Sequence, residues 1–194
     1  VVSFLIAMVV GTFIAALRVM PVKWLQRIGT IYVEIFRNIP LLVLLFLSFA
    51  GLRRSGIDIG RFTAGTASLG LYTAAYVAEA IRSGVFAVGK GQIDASLSLG
   101  FTYPETLRKV VLPQAVRTVI PPLGNLIIAM IKNSAIIGVA LSLANDLLKT
   151  ARVINSNTLQ TTEVFFWAAV GYLMLTIPTT FAVRYLETKL AIKR

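Results

Sequence analysis

Of the 194 residues, 57% are hydrophobic and 14% charged, and mean hydropathy is +0.81, which excludes an ordinary soluble domain. The net charge of +11 is carried by basic residues set between apolar runs, so it reports membrane topology and not nucleic-acid binding. The chain has no cysteine and no histidine, which removes disulfides, thiolate-bound metals and the commonest general base.

The first apolar run, Val1 to about Val19, reads as a membrane span. No basic region or cleavage site flanks it, so it is not read as a signal peptide, and a longer parent chain is expected. A short link follows with Arg18, Lys23, Trp24 and Arg27, the tryptophan suiting the headgroup region. The next run is Thr30 to Leu52, with the span proper starting near Pro40 because Glu34, Arg37 and Asn38 are too polar for hydrocarbon. Glu34 and Arg37 read either as an ion-paired helix end or as a contact to a partner. Arg53 to Arg61 is a turn-rich loop with Gly56 and Gly60.

The third span, Phe62 to Val88, is rich in Gly, Ala, Ser and Thr, which lets helices approach closely inside a bundle. Its Glu79 and Arg82 share a face and can pair. Gly89 to Pro113 is a polar island between apolar runs. Asp94 to Leu99 has the length of a short helix, closed by Gly100, a residue that readily takes the left-handed conformation. Thr102 and Glu105 form a capping-box pattern with Pro104 in the first turn, so a second short helix over Pro104–Val111 is predicted, limited by Pro113.

The fourth span is Val119 to Leu143, carrying Asn125, Lys132, Asn133 and Ser134. A lysine near the middle of a span costs about 2.5–3.5 kcal/mol, so Lys132 needs an acid, water or a cavity. Counting rise along the helices puts Glu79 within reach of it, and the two neutralising each other is one reading. Asn145 to Thr162 reads as a polar outer loop, and Val164 to Val183 as the fifth span, kinked at Pro178. The fold class expected is an all-α integral membrane protein, a single domain over 1–194, with about five transmembrane helices and two short surface helices.

Orientation follows from charge. If the polar island is internal, the inner side holds Arg18, Lys23, Arg27, Arg37, Arg82, Lys90, Arg108, Lys109, Arg117, Arg184, Lys189, Lys193 and Arg194. The outer side holds Arg53, Arg54, Arg61, Lys149 and Arg152. The asymmetry predicts an external N-terminus and a cytoplasmic C-terminus.

The island resembles the cytoplasmic loop of bacterial ABC-importer permeases, whose pattern is Glu-Ala-Ala, three residues, Gly, nine residues, Ile-x-Leu-Pro. Asp94, Ala95, Ser96, Gly100, Val110, Leu112 and Pro113 stand at those positions, with Asp94, Ser96 and Val110 departing conservatively. VEIFRNIPLL and AAYVAEAIRSGV resemble the polar amino acid branch of the same permeases, and the likeness covers nearly the whole chain. The resemblance implies that the loop docks into a groove on an ATP-hydrolysing subunit through Asp94, Ala95, Ser96, Leu99, Gly100 and Pro104. It also implies a second permease subunit (identical or homologous), two ATP-binding subunits and an extracytoplasmic amino-acid-binding protein. The plainer alternative for the loop is an amphipathic helix pair lying at the membrane surface.

No phosphate-cradling Gly-x-x-x-x-Gly-Lys-Ser/Thr loop is present, so no cofactor is expected on this chain, and ATP and Mg are expected on the partner ATPase. A substrate is expected between the third and fourth spans, with Lys132, Asn133, Ser134 and Asn125 as donors for a carboxylate and Glu79 for an ammonium. Lys132 with one intramembrane acid leans toward glutamate or glutamine over arginine. Two other readings stand beside this one. A secondary carrier or channel subunit driven by an ion gradient would also carry polar groups at mid-membrane. A scaffold paired with the true substrate-binding permease would keep the loop and tolerate loss of Lys132.

Overall fold

A computed structural model describes residues 1–143 and 146–190; Asn145, Lys193 and Arg194, invoked above, lie outside the described residues. The described residues form helices α1 (Val2–Val19), α2 (Lys23–Asn38), α3 (Leu41–Arg54), α4 (Arg61–Phe86), α5 (Lys90–Ser98), α6 (Tyr103–Ala140), α7 (Leu147–Thr158) and α8 (Thr161–Leu190), with no strand among them. Helix α3 contains a widened π-type turn at Leu47–Gly51, and α6 contains another at Leu107–Val111.

Helix α4 is the centre. Lipid tails are as apolar as leucine, so packing inside a bilayer depends on close approach more than on hydrophobic expulsion. The small residues of α4 provide that approach: Ala64, Ala74, Ala75 and Ala78 are completely buried. Where α1 crosses α4, a methyl on Gly11 would stand 2.7 Å from Val77 Cβ, so the two backbones meet at a distance only glycine allows. Val33 of α2 joins Ile14, Ala15, Ala75 and Ala78 in one cluster. Leu41 and Leu45 of α3 join Leu69, Val77, Met130 and Ile137 in a larger one.

Helices α1, α6 and α8 are long and apolar enough to cross a membrane, and α2 with α3, bent by 102° at Ile39–Pro40, makes a fourth candidate. The third expected span, α4, is not among the helices that pass on apolarity. Its Ser68, Thr73 and most of its small residues are buried against neighbouring helices, so the fifth crossing rests on α4 being an enclosed helix.

Four details differ from the sequence-based expectation. Helix α2 begins at Lys23, so the supposed link is helical; Trp24, Ile28, Ile31 and Ile35 form an exposed stripe while Gly29 and Val33 are buried. Helix α5 begins at Lys90, four residues before Asp94. The second short helix is the first part of α6, a continuous 38-residue helix that Pro113 does not stop. The widened turn just before Pro113 is the kind of local adjustment by which a helix accommodates a residue lacking an N–H. The segment expected as a polar outer loop holds helix α7, because the Asp146 carboxylate accepts the Lys149 N–H at 3.0 Å and so caps the first turn. Pro178 sits inside α8 without breaking it.

Candidate functional site

Two features stand out, a charged cavity and an exposed loop. The loop is held by few contacts. Ser96 and Thr106 are buried, and their hydroxyls lie 2.9 Å apart, tying α5 to the start of α6. Val88, Val111 and Ala115 form the base, with Ile93 and Leu107 packed on it. Gly100 turns the chain at φ +88°, in the left-handed region. The Glu105 carboxylate then accepts the Thr102 N–H at 3.0 Å and the Thr102 hydroxyl at 2.9 Å, which fixes the entry to α6. Asp94, Ala95, Gly100 and Pro104 are exposed around this frame. Leu97 is 41%, Leu99 79% and Tyr103 60% exposed, an apolar surface on an otherwise polar loop. Of the expected docking residues, Ser96 alone faces inward, where it holds the helix pair together.

The cavity, about 500 Å³, lies between α4 and α6 with Arg37 at its edge. Glu79, Tyr76 and Ser83 line it from α4, and Thr118 and Asn125 from α6. Glu79 does not meet Lys132. Its Oε2 accepts Arg18 Nη1 at 2.5 Å and its Oε1 accepts Arg82 Nη2 at 2.5 Å, the second being the i,i+3 pair the sequence indicates. Arg37 Nη1 lies 3.9 Å from Glu79 Oε2, beyond hydrogen-bond range. Mutual neutralisation of Glu79 and Lys132, one reading of the sequence, is replaced by a cluster of one acid and three guanidiniums. Rise along a helix fixes depth but not azimuth, and the partner Arg18 comes from α1, which depth counting between α4 and α6 does not consider.

Lys132 lines a separate apolar groove with Leu148, Phe165 and Tyr172, and it is exposed. Asn133 and Ser134 are half-buried beside it, with Ser134 Oγ donating to the Ile131 carbonyl at 2.7 Å. The structure thus brings Glu79 and Asn125 together and leaves Lys132, Asn133 and Ser134 farther along α6. One thread connects them: Thr118, Asn125 and Lys132 are seven apart, share a face of α6 and are all exposed. That stripe is about 21 Å long. Among the described residues no group of acids of metal-binding type is found.

A broken second span, an enclosed small-residue helix and a surface loop packed on the start of a long span describe a transport permease. The family of binding-protein-dependent transport system inner membrane components matches residues 7–192, and the chain belongs to it. It is a multi-pass inner membrane protein of a transport system that works with ATPase and binding-protein partners. It is 46% identical to the probable glutamine ABC transporter permease protein GlnM of Bacillus subtilis (strain 168), over 94% of this chain and 83% of that protein. It is 41% identical to the glutamate transport system permease protein GluC of Corynebacterium efficiens, over 97% of this chain and 87% of that protein. The crystal structure of an amino acid ABC transporter with histidines superposes with a TM-score of 0.91 at 37% identity, covering 97% of this chain and 87% of that one. An inward-facing MetNI methionine ABC transporter shares the fold, with a TM-score of 0.80 at 23% identity over 98% and 90% of the two chains.

Proposed function

We propose that this chain is the membrane-spanning subunit of an ATP-driven importer for polar amino acids, glutamine or glutamate favoured. The observation that carries it is the 46% identity to a probable glutamine ABC transporter permease along 94% of the chain. Two such subunits, identical or homologous, form the path between them. Two ATP-binding subunits hold ATP and Mg beneath them and perform the hydrolysis, and an extracytoplasmic binding protein delivers the amino acid. The N-terminus is external and the C-terminus cytoplasmic, as the distribution of basic residues supports.

Asp94, Ala95, Leu99, Gly100 and Pro104 present the surface that the ATPase grips, and Ser96 holds that surface in shape. Leu99 and Leu97 supply the apolar contact. ATP binds the closed ATPase pair more tightly than the open one, and this difference drives the permease from inward-facing to outward-facing. The substrate path runs along the exposed stripe of α6, with Glu79 and Asn125 at one level and Lys132, Asn133 and Ser134 at another. An exposed lysine inside a span implies water or a ligand at its tip.

The test is uptake of labelled L-glutamine and L-glutamate by vesicles holding the complete transporter. Uptake that follows ATP and survives collapse of ion gradients is expected, and Lys132→Met should weaken it while ATPase coupling persists in part. Uptake that follows an ion gradient and ignores ATP overturns the proposal.

A further inference from the structure

The cluster around Glu79 has one member whose role the fold does not explain. Arg18 is 10% exposed and bonded to Glu79, and Arg82 is bonded to the other carboxylate oxygen. Both oxygens of the acid are therefore taken, and an incoming ammonium would have to enter a region that already holds three cations. Arg37 differs from its neighbours. Among the described residues no side-chain hydrogen bond engages it, its nearest acid is Glu79 at 3.9 Å, and its side chain is 43% exposed. Its guanidinium lies over the Tyr76 ring, 5.4 Å from the centroid, which orients the planar group without consuming its N–H donors. It lines both the 500 Å³ cavity and a neighbouring one of about 260 Å³, where Glu34 and Asn38 are its companions.

Position explains why this arginine is available. It stands in the last turn of α2, just before the 102° bend at Ile39–Pro40. The bend turns α3 away, and Arg37 at the end of α2 meets Tyr76 of α4. Glu34, the acid one turn earlier, accepts Asn38 Nδ2 at 3.3 Å instead of an Arg37 donor. A planar fork held on an aromatic face, near Glu79 but with no side-chain hydrogen bond spent among the described residues, is suited to bidentate capture of a carboxylate.

We propose that Arg37 is the receptor for the α-carboxylate of the transported amino acid, and that Glu79 is a structural counter-ion that positions the arginines and does not bind the ammonium. This rests on the reading of the chain as an amino acid permease and reverses the polarity expected for the Glu79 end of the path. Asn125, with no hydrogen bond among the described residues, faces the same cavity and is placed to meet the rest of the ligand. Arg37 acts here as a binding group in the path and not only as a helix-end ion pair.

The experiment compares binding of L-glutamine, L-glutamate and the α-carboxamides of both by the purified permease–ATPase complex in nanodiscs. Wild type should prefer each free acid over its α-carboxamide by about tenfold or more, the scale of a hydrogen bond to a charged group. Arg37→Gln should bring that ratio to within about threefold, by weakening the acids while leaving the carboxamides little changed. Arg37→Lys, which keeps the charge but not the fork, should fall between and guards against misfolding of the first variant. An unchanged ratio in both variants, or equal weakening of acid and carboxamide, overturns the assignment and leaves the permease reading standing. A wild-type complex that binds none of the four compounds, and transports no amino acid, overturns both.

Discussion

Exchanging Glu79 for Gln tests whether the charge cluster holds α1 to α4. The exchange keeps the shape of the side chain and removes the charge that Arg18 and Arg82 each approach to 2.5 Å. Arg18 is 10% exposed and its buried Nε has no hydrogen-bond partner, so its charge cannot turn to water. Arg82 is a third exposed and counts for less. Removing one partner from a buried pair costs about 3–5 kcal/mol, and the 22% exposure of Glu79 places this case near the lower end, about 3 kcal/mol. For a chain of this size that corresponds to a fall in Tm of roughly 6–12 °C. Thermal unfolding of the purified complex in detergent measures it. Adding Arg18→Met to the Glu79→Gln variant should recover part of the loss, because the stranded cation is the main source of the cost. A Tm within about 1 °C of wild type, or a double variant less stable than Glu79→Gln, would refute the reasoning.

Gly84→Val should loosen the α4–α6 contact, because a Cβ there would stand 2.1 Å from Val119 Cγ2; overpacking of this kind costs about 1–3 kcal/mol. Val119→Ala should relieve it in a double variant, read by thermal unfolding, and failure to do so would mean the two helices separate elsewhere. Gly100→Ala should cost about 1–2 kcal/mol through backbone strain alone, since φ is +88° and no atom lies within 4 Å of the added methyl. Coupled ATPase activity should fall with it, whereas Gly89→Ala, with φ −59° and equally open space, should change little.

The loop was legible because its signals are local. Glycine at 100 and the Thr102–Glu105 pair dictate backbone within four residues, and the structure has both. The small residues of α4 likewise announced an enclosed helix. What escaped the sequence depends on azimuth and on distant partners. Arg18 meets Glu79 across 61 positions, and no spacing rule on α4 or α6 points to it. Helix α7 escaped because its Asn, Ser and Thr residues read as loop, while one carboxylate, Asp146, suffices to start it. Pro113 misled in the other direction: the widened turn before it lets the helix run on, and Pro121, Pro122 and Pro178 likewise lie inside helices. Arg37 reads in the sequence as a charge at a helix end, but its place over the Tyr76 ring beside the 102° bend cannot be counted from residues.

The unbroken run of α6 from Tyr103 to Ala140 has a mechanical meaning. Its first turns carry the hydroxyl contact to α5, and Lys132 stands 29 residues farther on, about 43 Å along the axis. Moved as one body, a helix of that length acts as a lever arm, and the widened turn at Leu107–Val111 and the Pro121–Pro122 pair are the points where it can bend. A tilt of about 5° imposed at the loop swings the lysine by roughly 4 Å, more than the length of a hydrogen bond.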